Sequence, residues 1–88
     1  MKTTRVLFLC TGNSSRSILS AATLNHLGKD LFIAYSAGSQ PAGYVNPNAL
    51  RELTKQGISI EGLRSKSWDE FTGPDAVPMD IVITVCDS

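Results

Sequence analysis

Cys10, Arg16 and a set of small hydroxylated residues share one short stretch, CTGNSSRS at residues 10–17, directly after the apolar run Val6-Leu7-Phe8-Leu9. A loop needed only to turn the chain would use neither the thiol nor the guanidinium. Between a strand and the first turn of a helix, backbone N–H groups and the positive end of the helix dipole converge on one spot, which suits a tetrahedral oxyanion. Gly12 turns the backbone without a Cβ clash, and Asn13 tolerates left-handed conformations and can hydrogen-bond its own loop. A cysteine at the base of such a nest has its thiolate stabilised, which lowers its pKa from about 8.5 toward roughly 3.5 to 7.5 and makes it a nucleophile at neutral pH. Arg16 adds a planar, permanently charged fork for the oxygens of one anion. The chemistry expected is covalent attack by Cys10 on an anion held by Thr11, Gly12, Asn13, Ser14, Ser15, Arg16 and Ser17, with the hydroxyls donating to thiolate or oxygens. The plainer alternative is a tight strand-to-helix turn holding a small buried cysteine.

That chemistry requires a strand before the loop and a helix after it. Arg5 to Leu9 is short, continuous and apolar, as in a parallel strand covered on both faces. Ser17 to Leu27 reads as a helix with Ala21, Leu24 and Leu27 in one narrow stripe and Gly28 placed to stop it. Leu31 to Ala37 reads as a second strand ended by Gly38; strand, helix and strand in that order imply a right-handed crossover and a parallel pair. Asn46-Pro47 supplies an N-cap and a first-turn proline for a helix through Leu50 and Leu53 to Gly57. Ile58 and Ile60 read as a short edge segment, and residues 61–78 as a loop with one helical turn around Ser67 to Phe71. Asp80 to Cys86 is a third strand, rich in β-branched residues.

Composition excludes several function classes. Eighty-eight residues make one domain, 1–88, with a thin core. Eight Lys and Arg balance eight Asp and Glu, so no broad footprint for nucleic acid or an anionic membrane exists and any anion site is local. The N-terminal apolar run is too short for a signal-peptide core or a bilayer span, so the expected location is cytoplasmic. One His and two Cys without short ligand spacing do not make a tetrahedral metal set, and nothing calls for a cofactor. Cys10 and Cys86 are compatible with a disulfide or with redox and nucleophilic chemistry, and a Cys closing an apolar strand is also ordinary packing. His26 is expected to face solvent near its helix end, Trp68 and Phe71 to pack the long loop, and Arg64 and Lys66 to belong to a solvated loop rather than to rim the anion site.

Beyond the residues themselves, CTGNSSRS resembles the Cys-x5-Arg-Ser loop of the low-molecular-weight protein tyrosine phosphatase superfamily. The likeness extends to Ser36-Ala37-Gly38, to Val45-Asn46-Pro47 and to Thr84-Val85-Cys86-Asp87. In detail the chain resembles the thioredoxin- or glutaredoxin-coupled arsenate reductases of that superfamily, because the Cys in TVC separates them from the phosphatases. The resemblance implies a three-layer α/β/α fold with a parallel sheet. It also implies that Cys10 attacks arsenate held by the loop amides and Arg16, that Cys86 attacks the adduct to release arsenite, and that thioredoxin, glutaredoxin or a low-molecular-weight thiol reduces the resulting Cys10–Cys86 disulfide.

The chain departs from the superfamily pattern at several points. Ser15 stands where phosphatases often carry a second loop Cys. No Asp-Pro dipeptide is present, and both branches take their general acid from such a motif on a loop beyond residue 88. A third redox cysteine, the last strand and the last helix are missing too, so the expectation is a truncated chain whose open sheet edge favours pairing with a second copy. The functions in play are arsenate reductase, phosphotyrosine phosphatase with a dispensable Cys86, and a non-catalytic oxyanion-binding module.

Overall fold

The computed structural model describes residues 3–85. Strand β1 (Thr4–Cys10), helix α1 (Arg16–Leu27), strand β2 (Phe32–Gly38), helix α2 (Pro47–Lys55) and strand β3 (Ile81–Thr84) follow in chain order, with a 3-10 turn at Trp68–Phe71 before β3. β1 is central, and β2 and β3 pair with it on either side, both parallel. Cys10 stands opposite Gly38 and Leu9 opposite Thr84, so the C-terminal ends of all three strands meet at one edge of the sheet. That edge is where open α/β sheets hold their ligands.

Strand alternation divides the apolar residues of β1 between two faces. Val6 and Phe8 join Ala34 and Ala21 of α1 in a buried cluster, with Leu24, Phe32 and Val85 packed against it. Leu7 and Leu9 face the other way and line a 430 Å³ apolar cavity with Trp68, Phe71, Met79 and Val82. Trp68 and Phe71 therefore pack the long loop onto the sheet, as expected, and Phe71 meets Tyr35 edge to face at 5.6 Å. α2 reaches the core through α1, where Leu53 packs with Ala22 and Ile58.

Local signals set the helix ends. The Asn46 side chain accepts from the Asn48 N–H with Pro47 in the first turn, and the Gly28 N–H closes α1 on the Leu24 carbonyl. Asn25 in α1 exchanges two hydrogen bonds with the Ala34 backbone (2.9 and 2.7 Å), which blunts the outer edge of β2.

Two expectations fail. In the expected stripe of α1, Ala21 and Leu24 pack into the core, joined by Ile18 and Ala22, whereas Leu27 is 77% exposed. A three-residue step drifts by about 60° around a helix, so by Leu27 the run has turned about 120° from Ala21 and left the packed face. Ile58 and Ile60 form no strand. The Ile58 N–H instead bonds to the Leu53 carbonyl at 2.9 Å and carries its side chain back under α2, and Ile60 is left exposed. Among the described residues no helix is long and apolar enough to cross a membrane.

Candidate functional site

Cys10 ends β1 and Arg16 opens α1, so residues 11–15 must turn the chain from sheet to helix. Asn13 makes the turn with φ 46°, a left-handed conformation that costs asparagine less than other side chains. It is held there by burial and bonding. Asn13 is 0% exposed, its Oδ1 accepts from the Lys66 N–H at 2.8 Å, and its Nδ2 donates to Ser17 Oγ at 2.8 Å. Because a backbone N–H can donate only to the carbonyl oxygen, this network fixes which way the amide points.

The turn aims donors at the thiol. The Asn13 N–H donates to Cys10 Sγ at 2.9 Å, and Ser17 Oγ lies 2.9 Å from the same sulfur. Ser17 already accepts from Asn13, so its own proton is available to the sulfur. Both contacts favour a thiolate over a thiol.

A second loop takes the carbonyls of this turn. The Ser39, Gln40, Ala42 and Asn46 N–H groups donate to the carbonyls of Cys10, Thr11, Gly12 and Ser14 at 2.7–3.1 Å. Ser65 Oγ adds a bond to the Gly12 carbonyl at 3.1 Å. In a trans peptide the N–H points opposite to the C=O. With these carbonyls turned outward, the N–H groups of Thr11, Gly12, Asn13 and Ser15 point the opposite way from them, and the Asn13 N–H meets the thiol. Gly38 permits the close approach, since a Cβ there would lie 2.5 Å from the Thr11 carbonyl oxygen and 3.0 Å from Asn13 Cβ.

α1 contributes its positive end. Ser15 caps it through its carbonyl, which accepts from the Leu19 N–H, and not through its hydroxyl; no acidic residue sits in the first turn. Arg16 is exposed at this end, beside the loop. Cys86, the second thiol in the sequence reading, lies outside the described residues. Val85 just before it donates its N–H to the Leu9 carbonyl at 2.8 Å, alongside the residue that precedes Cys10.

Lys66 corrects the sequence reading. Arg64 pairs with Glu70 through both its terminal nitrogens (2.9 and 2.6 Å) and stays in a solvated loop, as expected. That pairing raises the guanidinium pKa and holds the Glu70 carboxyl below the usual range. Lys66, however, is half-buried against the loop, with Nζ 3.3 Å from Ser36 Oγ, and burial followed by the Arg64 charge lowers its pKa. Ser36, Ser65 and Lys66 had no local signal, because their contacts to the loop or to each other span 30 to 53 residues. Among the described residues no group of three or more His, Cys, Asp and Glu could hold a metal ion.

The chain has known relatives. The family pattern described as low molecular weight phosphotyrosine protein phosphatase matches residues 5–88. The chain belongs to that family. Within it, the chain is 40% identical over 83 residues to an arsenate reductase of Bacillus licheniformis (92% of this chain, 55% of that protein). It is 34% identical over 86 residues to arsenate reductase 1 of Staphylococcus epidermidis (98% and 62%). The fold of this phosphatase-family chain matches a solved structure described as an arsenate reductase in the phosphate binding state, with TM-score 0.82, 29% identity, and coverage of 98% of this chain and 63% of that one. It also matches the low molecular weight protein tyrosine phosphatase from T. tengcongensis, with TM-score 0.75, 31% identity, and coverage of 93% and 58%. The chain spans about half the length of the curated relatives it matches.

Proposed function

We propose that the chain performs thiol chemistry on a tetrahedral oxyanion and that the anion is arsenate, reduced to arsenite. The observation that carries this is the pair of donors, the Asn13 N–H and Ser17 Oγ, each 2.9 Å from Cys10 Sγ. Cys10 is the nucleophile; Thr11, Gly12, Asn13, Ser14, Ser15 and Ser17 form the cradle, and Arg16 clamps the anion's oxygens as charge develops. The Cys10 thiolate attacks arsenic, and an arsenic–oxygen bond breaks to release water after protonation. The Cys86 thiolate then attacks Cys10 Sγ. The sulfur–arsenic electron pair stays on arsenic, which leaves as arsenite, and both thiols end as a Cys10–Cys86 disulfide. Support for Cys86 comes from the register, which sets Thr84 opposite Leu9 and ties the Val85 N–H to the Leu9 carbonyl. Thioredoxin, glutaredoxin or a low-molecular-weight thiol in the cytoplasm restores the thiols, and the exposed edge of β3 takes a second copy of the chain.

Intact and peptide-mapped mass spectrometry after one equivalent of arsenate, without added reductant, tests this. The expected result is a loss of two hydrogens, Cys10 linked to Cys86, stoichiometric with arsenite. Free thiols and no arsenite would sink it. The second reading, hydrolysis of a phosphate monoester, is favoured by the likeness to the T. tengcongensis phosphatase. Under it Cys86→Ser leaves aryl phosphate hydrolysis intact and no arsenite forms.

A further inference from the structure

We propose that Lys66 is a positioning residue whose half-buried ammonium, lodged behind the oxyanion loop against Ser36, supports the Cys10 thiolate. The inference rests on Cys10 being the nucleophile.

The backbone of residue 66 already does structural work that any side chain would allow. Its N–H donates to Asn13 Oδ1 at 2.8 Å and its carbonyl accepts from the Gly38 N–H at 2.9 Å. The side chain does something else. It borders a 170 Å³ cavity between α1, β2 and residues 62–66, whose other walls include Ile18, Ala21 and Ala34. There Nζ bonds to Ser36 Oγ (3.3 Å) and the Arg64 carbonyl (3.2 Å), both uncharged acceptors. The nearby carboxylate, Glu70, is engaged by Arg64. Besides Lys66, the titratable groups facing the cavity are Arg64 on the same segment and Tyr35 on β2; α1 contributes only the uncharged Ile18, Ala21, Ala22 and Asn25. Around Cys10 the loop's own cation is Arg16, which is exposed.

An ammonium half-removed from water, beside a like charge and without a carboxylate of its own, is costly, and methionine would cover the same wall without that cost. Glu70, already bound by Arg64, offsets part of that cost, and the thiolate supplies a second anion. Lys66 N–H, Asn13 and Cys10 Sγ form one hydrogen-bonded chain, and Ser36 stands opposite Phe8, one pleat from the Cys10–Gly38 pair. A separation on the order of 10 Å follows from that spacing. At an effective dielectric of about 20, a unit charge at that range moves a neighbouring pKa by about one unit.

The test is the pH profile of Cys10 alkylation by iodoacetamide, read on the mapped Cys10 peptide, in the native chain and in Lys66→Gln, Lys66→Met and Lys66→Arg. Gln keeps a donor for Ser36 and removes the charge. The expected result is a midpoint raised by about 0.5 to 1 unit in Gln and Met, with about three- to tenfold less thiolate at a fixed pH below it, and a near-native midpoint in Arg. Identical midpoints in all the variants would overturn the proposal and leave Lys66 a purely backbone anchor. A native midpoint at the ordinary thiol value would instead count against Cys10 as nucleophile, and the Lys66→Gln shift would still decide the role of Lys66. Should the variants fail to fold, NMR titration of the native lysine decides: removing the thiolate with Cys10→Ser lowers the Lys66 pKa by the same amount, and an unchanged value overturns the proposal.

Discussion

At the scale of single residues, the thiol's environment is set by the hydrogen bonds that reach its sulfur. Ser17 Oγ, oriented by Asn13, is one of the sulfur's donors. Ser17→Ala is therefore expected to raise the Cys10 midpoint by about 0.5 to 1 unit, measured by thiolate absorbance against pH. Asn13→Ala removes a fully buried amide and leaves alanine at φ 46°. The expected loss is about 2 to 4 kcal/mol, seen as a fall in the thermal midpoint of more than about 10 °C. A stable Asn13→Ala with native thiol reactivity would mean that the nest holds its shape by other means.

At the scale of elements, the loop is held by neighbours. Gly38 ends β2 where Thr11 crosses it, and the Thr11 carbonyl is itself fixed by the Gln40 N–H at 2.9 Å. With backbone on both sides unable to shift, Gly38→Ala is expected to cost about 3 kcal/mol in chemical denaturation and to lower anion affinity with it. Asn46→Ala, at the cap of α2, should cost only about 1 kcal/mol. The Arg64–Glu70 pair gives a pH signature. Because the Glu70 carboxyl is depressed in the folded chain, its contribution is present above the unfolded glutamate value and is lost as pH falls through the lower folded value. Carboxyl NMR should find the Glu70 midpoint below about 4.3, and Arg64→Ala should return it there. The pair is exposed, so added salt should weaken it.

At the scale of the whole molecule, the sheet is unevenly covered. Ile81, Val82 and Ile83 of β3 are 44%, 54% and 40% exposed, and β3 is an edge strand among the described residues. An apolar, β-branched edge strand pairs readily with another strand. Sedimentation velocity over a concentration series should show reversible self-association, and Ile83→Lys should return the chain to monomer. A native chain that stays monomeric at all concentrations would refute pairing along β3.

The order of elements, the cap at Asn46, the stop at Gly28 and the nest from Cys10 to Ser17 could all be read from the sequence, because each depends on residues a few positions apart. Spacing alone misjudged Leu27 and Ile60, because what covers a side chain depends on neighbours that a local pattern does not contain. Tertiary structure alone decided that Gly38 meets Thr11, that the loop of residues 39–46 takes the nest's carbonyls, and that Lys66 lies behind Asn13. Those contacts join segments 27 to 53 residues apart or turn on backbone hydrogen bonds. The sequence thus determined which groups could do chemistry at residues 10–17, and the packing of distant segments decided which way their hydrogen bonds point.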